Sequence, residues 1–275
     1  MTNQAEAKVS QFYNTLGWET EDGHTEDARR WEDLRAHAQD YVSKCRRRVL
    51  EHIPASGTNL LDMASGPIQY PEYLEYSRNF EKRYCVDLSA QALESARKKV
   101  GDHGVFLPGS FFDIPLDDDF FDCAISLHTI YHIDKDRQEE AVRKLLRVTK
   151  PGQPVIIVYS NPHTFIVALK SSLPVRLLRR RRRHPNQHKD NAGKADDGVL
   201  YFHAHPIDWW NRFNDVASVK IVPWRSFRSE HQKRLVPNNR IGHEMFAMLF
   251  ALEQRFPNFF VKHFQYPMII LTKKA

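Results

Sequence analysis

Cysteine, glycine and long apolar stretches are all scarce in this 275-residue chain. The three cysteines, Cys45, Cys85 and Cys123, are odd in number and far apart, which argues against a disulfide framework or a zinc ribbon. No apolar run approaches a membrane span, and the opening MTNQAEAKVS lacks the apolar stretch of a secretory signal. A reducing, cytoplasmic setting is therefore expected. Acidic residues are missing in one place: from His163 to Ala195, nine Lys or Arg residues meet Asp190 alone. That stretch carries +8, so the net charge of +6 leaves the remainder at −2. What is present, 41% hydrophobic and 27% charged residues, suffices for one large globular core.

The apolar pattern alternates between two periods. Residues 25 to 53 have helical spacing, with Thr25 as the cap and Pro54 as the stop. TNLLDMAS predicts a buried strand ending near Asp62, YPEYLEYSRNF a helix, and KRYCVDLS a second strand ending at Asp87. SAQALESARKKVG predicts a helix capped by Ser89 and closed by Gly101. VFLPGSFFD and FDCAISLH follow as strands, DRQEEAVRKLLRVTKPG as an amphipathic helix, and QPVIIVYS as a fifth strand. Beyond Asn161 the rhythm breaks for the basic segment. PIDWWNRFND then predicts a helix, ASVKIVPW a sixth strand, NNRIGHEMFAMLFALEQRF a helix and YPMIILTKK a last strand. Strands alternating with helices imply an α/β, doubly wound, mostly parallel sheet whose strand ends and loops share one ligand-binding edge.

Two acids at consecutive strand ends, Asp62 and Asp87, give that edge its first chemistry, because a carboxylate at a second strand end is placed to accept ribose hydroxyls. With LLDMASGPIQ, CVDLS, GSFFDIP, FFDCAISLHTIYHI and RKLLRVTKPGQ in this order, the sequence resembles the class I S-adenosyl-L-methionine (SAM)-dependent methyltransferases, over about residues 45 to 161 and again at 206 to 224 and 265 to 274. The resemblance implies a Rossmann-like seven-stranded sheet in a single domain spanning 1–275. Within it lie an N-terminal helical segment (1–55), a SAM-binding core (56–161), cap inserts (162–205 and 226–262) and the remaining core (206–225 and 263–275). It implies SAM as cofactor and S-adenosylhomocysteine (SAH) as product, with Asp62, Ala64, Ser65, Gly66, Asp87, Leu88, Ser110, Phe111, Asp113 and Leu127 as cofactor-binding residues. Ala64 and Ile68 stand where the family usually has glycines, and Ile68 is expected to keep ordinary backbone angles and point away from the pocket. Ser110 stands where an acid commonly receives the adenine amino group, with Asp113 able to reach in. The three-glycine fingerprint of pyrophosphate-bearing dinucleotide sites is absent.

His128 and His132 follow the fourth strand, where a base can take the proton of an alcohol acceptor; His128 is the first choice and His132 the second. This favours O-methylation of a small-molecule, lipid-linked or glycan-type acceptor. An RNA or protein methyltransferase and a non-catalytic binding protein of the same fold stand as alternatives. His203 and His205 lack a Cys or carboxylate companion, so no metal is expected. Trp209 and Trp210 read as core anchors, and Tyr159 as a strand-end residue with its hydroxyl in water.

The run Arg179 to Arg183 follows the apolar stretch TFIVALKSSLPVRLL, an arrangement suited to peripheral contact with an anionic membrane or to a solvated loop. No RNA-binding signature accompanies it, so nucleic acid is not the expected partner. Changing Arg179 through Arg183 to Gln should reduce sedimentation with anionic liposomes at low salt. Equal sedimentation of wild type and variant, or none for wild type, would remove the membrane reading.

Overall fold

A computed structural model describes Glu6, residues 20–21, 24–165 and 201–274; the Arg179 to Arg183 run lies outside these described residues. Its centre is a seven-stranded sheet of β1 (Gly57–Met63), β2 (Phe80–Asp87), β3 (Gly104–Pro108), β4 (Cys123–Leu127), β5 (Pro154–Val158), β6 (Ala217–Arg225) and β7 (Tyr266–Lys273). The spatial order is β3-β2-β1-β4-β5-β7-β6. Strands β1 to β5 are parallel, and β7 lies antiparallel to both β5 and β6. β6 therefore runs in the same direction as β1 to β5, and its end reaches the same sheet edge.

Alternation along each strand builds two cores, because successive side chains point to opposite faces. Leu61, Ala124, Ile157 and Ile269 face one side, where Leu145 of α5 (Gln138–Val148) and Trp210 cover them; α3 (Pro71–Glu75) and α4 (Ala90–Val100) precede it in the chain. Their neighbours Leu60, Ile125, Ile156 and Ile270 face the other side, under α2 (Ala36–Arg47) and α7 (Arg240–Arg255). The helix starts are locally encoded. Ser89 accepts the Ala92 N–H at 3.2 Å, and Asn239 accepts that of Gly242 at 3.2 Å.

The expected doubly wound sheet is present, with four local differences. The span 25 to 53 breaks into α1 (Glu26–Trp31), α2 and a 3-10 turn at Arg48–His52. The helix expected over YPEYLEYSRNF is only the five residues of α3. PIDWWNRFND forms a 3-10 helix over Ile207–Phe213, which seats Trp209 and Trp210 in the core as expected. β3 stops at Pro108, because Gly109 at φ 137° turns the chain and leaves GSFFD as a loop. The insert after β6 holds α6 (Ser229–Leu235), α7 and α8 (Pro257–His263), and it packs as a layer on the sheet. Tyr41 of α2 stacks on Phe246 of α7 at 4.9 Å and donates its hydroxyl to Glu253, which also pairs with Arg48 at 2.9 Å. No helix among the described residues is long and apolar enough to cross a membrane.

Beneath the sheet edge, Asp62 of β1 forms a buried ion pair with Arg83 of β2, whose Nε donates at 3.1 Å. Both side chains are almost fully enclosed. Arg83→Met should strand the carboxylate and lower stability by about 3–5 kcal/mol, whereas Asp62→Leu combined with Arg83→Leu should recover most of that loss. Urea midpoints measure both; equal losses would mean that the pair is not the source of the effect.

Candidate functional site

The loops after β1, β2, β3 and β4 meet in an open cleft at the sheet edge. Met63 and Ala64 reach it from β1, Asp87 and Leu88 from β2, Phe111 from the loop after β3, and His132 from beyond β4. Asp87 ties three of these loops together. Its Oδ2 accepts the Gly66 N–H at 2.8 Å, its Oδ1 accepts the Ser89 N–H at 2.8 Å, and its backbone carbonyl accepts the Gly109 N–H at 2.9 Å. Each carboxylate oxygen still has acceptor capacity toward the cleft. Burial pushes the Asp87 carboxyl up to about 6, against the pull of those N–H donors.

The first loop is conformationally expensive. Ala64, Gly66 and Ile68 all adopt left-handed backbone angles, at φ 58°, 57° and 51°. For Ala64 and Ile68 this costs on the order of 1–2 kcal/mol each. The ordinary angles expected for Ile68 are thus not found, although its side chain does turn away from the cleft. It is buried against Cys85, Leu93 and Ala96, under α4, and that packing holds the strained backbone. Ala64 keeps its single methyl at the cleft wall.

Of the other sequence-predicted residues, Asp62 is committed to Arg83 and does not line the cleft. Ser65 hydrogen-bonds the Val86 carbonyl through its N–H, and Leu127 packs toward the α2 side of the sheet. Asp113 is exposed, with its backbone N–H on the Ser110 carbonyl. Ser110 is buried and donates its hydroxyl to Glu6 at 2.7 Å. Glu6 lines the cleft and was not foreseen, since nothing in AEAK marks one glutamate as reaching a loop more than a hundred residues away. Tyr159 is fully buried rather than wet: its hydroxyl donates to Gln138 at 2.7 Å and accepts the His205 N–H at 2.9 Å. His205 stacks on Trp209 at 4.5 Å, and neither it nor His203 lines the cleft.

The two histidines separate. His132 faces the cleft, with Nδ1 at 2.6 Å from the Tyr201 carbonyl oxygen. A carbonyl only accepts, so Nδ1 carries the proton and Nε2 is the basic nitrogen. Burial lowers its pKa. His128, at φ 60°, does not line the cleft; it hydrogen-bonds the Tyr131 hydroxyl at 3.1 Å and lies 4.6 Å from the Trp224 ring. Burial, then the charge of Arg225, push its pKa well down, so it is neutral.

Residues 61–157 match the family model of a methyltransferase domain. Ubiquinone/menaquinone biosynthesis C-methyltransferases of Pseudomonas paraeruginosa and Pseudomonas aeruginosa are 29% identical over 129 residues, 41% of this chain and 46% of theirs. The match thus spans about half the length of those relatives. Among solved structures, the DhpI–SAH complex aligns over 100% of both chains, with a TM-score of 0.59 and 12% identity. Geranyl diphosphate C-methyltransferase from Streptomyces coelicolor A3(2), solved with Mg2+, geranyl diphosphate and SAH, aligns over 99% of both with a TM-score of 0.58 and 14% identity. At such identity the likeness shows the fold.

Because folding raises the Asp87 pKa, protonation of this group favours the folded state. That contribution is complete below about pH 4 and is lost as pH rises through about 6, amounting to roughly 3 kcal/mol. The stability of Asp87→Asn relative to wild type should therefore rise with pH across this window, on top of a pH-independent cost for the backbone N–H that an amide nitrogen cannot accept, measured by urea unfolding at pH 4, 5, 6 and 7. A difference independent of pH would show that the carboxyl titrates normally.

Proposed function

We propose that this chain, a class I SAM-dependent methyltransferase by its fold and by the match over residues 61–157, transfers a methyl group from SAM to an oxygen of a small-molecule acceptor. The observation that carries the reading is that Asp87 and His132 face one cleft. The donors and acceptors there suit the cofactor. Asp87 has a free acceptor site on each oxygen for the two ribose hydroxyls, and Leu88 and Phe111 offer apolar walls to the adenine. Glu6, held by Ser110, provides the carboxylate that Ser110 itself lacks for the adenine amino group. When bound, SAM supplies an electrophilic methyl group, and the protein's part is largely orientation. His132 takes the acceptor proton at Nε2; its Nδ1 bond to the Tyr201 carbonyl sets the ring and the tautomer.

A carbon acceptor is the second reading, favoured because the relatives in sequence and one structural neighbour are named C-methyltransferases. A base in the position of His132 serves an acidic carbon as well as a hydroxyl. A lipid-linked or glycan acceptor, like the RNA and protein alternatives, depends on the basic segment outside the described residues.

Calorimetry should show SAH binding that tightens as pH rises through about 6, because ligand hydroxyls favour the ionised Asp87. Asp87→Ala should weaken binding by about 1.5–3 kcal/mol per lost bond at most. His132→Ala should keep SAH affinity and lose roughly 10²–10⁴-fold in methyl transfer, assayed with methyl-labelled SAM over a panel of acceptors. No SAH binding by wild type at millimolar concentration would overturn the assignment. Product analysis of the labelled atom decides between oxygen and carbon.

A further inference from the structure

Arg225 ends β6 at the same sheet edge as Asp87 and His128, one residue beyond the strand expected from ASVKIVPW. It is 6% exposed. Among the described residues, its guanidinium has no hydrogen bond and no carboxylate within ion-pair distance, and its Nε is buried without a partner. Every other arginine buried in this region is matched. Arg46 is held by both oxygens of Glu32 at 2.9 and 3.0 Å, Arg48 by Glu253, and Arg83 by Asp62. Glu32 is the carboxylate that most influences Arg225, yet its oxygens are already taken by Arg46 and Gln39.

The backbone is shaped to present this side chain. Between Pro223 and Arg225 the β6–β7 register slips, since Pro223 faces Pro267 and Arg225 faces the adjoining Tyr266. Such a bulge re-aims side chains and recurs beside functional sites. The guanidinium carbon lies 4.8 Å from the Tyr266 ring and 5.2 Å from that of Trp224. Aromatic faces support a cation but satisfy none of its N–H donors. The same two rings flank His128, at 5.3 and 4.6 Å, so Arg225 and His128 share one aromatic frame just beyond the cofactor cleft. A largely enclosed guanidinium that finds no acceptor among the described residues is uncommon in a folded protein, and its planar donors match an oxyanion in geometry.

We propose that Arg225 receives an oxyanion, carboxylate or phosphate, carried by the methyl acceptor, and so selects anionic acceptors. The proposal rests on the methyltransferase reading, with the cofactor in the Asp87 cleft and the acceptor entering from the β4, β6 and β7 side. Trp224 and Tyr266 hold the guanidinium in place, His128 stays neutral beside it, and the nearby Arg46 is already paired with Glu32.

The test uses the full chain with saturating SAH, and inorganic phosphate or acetate as probes, against sodium chloride at matched ionic strength. Phosphate or acetate should raise the melting temperature of wild type above the chloride control, and Arg225→Leu should abolish the rise. Whichever probe acts identifies the anion's chemistry. SAH affinity should stay within about twofold in the variant, because Arg225 lies outside the Asp87 cleft. Without ligand, Arg225→Leu should be about as stable as wild type, since it breaks no hydrogen bond or ion pair among the described residues. If Leu does not fold, Arg225→Gln serves, with the same loss of anion response. A wild type indifferent to both anions, or an equal rise in the variant, overturns the proposal. Failure of SAH to bind wild type instead removes the underlying methyltransferase reading.

Discussion

The Asp87 carboxylate accepts one backbone N–H from the loop after β1 and one from the turn leading into α4, while its carbonyl holds the loop after β3. Three loops that would otherwise diverge from neighbouring parallel strands are thereby drawn together at one residue. A parallel sheet covered on both faces delivers loops to a common edge, but it does not make them converge. Here the convergence depends on a charge that burial disfavours, which is why the carboxyl titrates near 6. In the proposed reading the group organising the cleft also receives the ligand's hydroxyls, and binding would then offset the penalty that burial imposes on its charge.

Backbone strain gathers at the same edge. Among the described residues four non-glycine residues have positive φ, and three of them, Ala64, Ile68 and His128, lie on the loops after β1 and β4. Each is held by a different means: Ala64 by the turn through Gly66 to Asp87, Ile68 by burial of its side chain, and His128 by Trp224, Tyr266 and the Tyr131 hydroxyl. Strain of this kind persists only where the surroundings over-determine it. Its concentration on the two loops flanking the cleft agrees with a site assembled in advance of its ligand.

On either side of the β4 loop the edge has opposite electrostatics. Toward β2 and β3 it presents Asp87 and Glu6 beside apolar walls, a setting for a ligand rich in hydroxyl and amino donors. Toward β6 and β7 it presents Arg225 among aromatic rings, with the matched Arg46 nearby over Tyr70. His132 belongs to the first side and His128 to the second, which gives the adjacent histidines distinct environments despite four residues of separation.

The sequence alone determined the seven alternating strands, their mostly parallel arrangement, the cap at Ser89, and the strand-end carboxylate Asp87. These follow from period-two hydrophobicity, local hydrogen bonding and strand direction, all of which act over a few residues. The family resemblance likewise read correctly across the stretch that the methyltransferase-domain match covers. Only the tertiary structure decided which acids and bases face the cleft. Asp62 looked equivalent to Asp87 at a strand end, but Arg83 on the neighbouring strand claims it. His132 and not His128 lines the cleft, because the turn after β4 sends one ring toward Tyr201 and the other toward Trp224. Glu6 at Ser110, and Arg225 with no carboxylate among the described residues, are products of contacts between distant segments, and no local periodicity encodes which charges such contacts leave matched or unmatched.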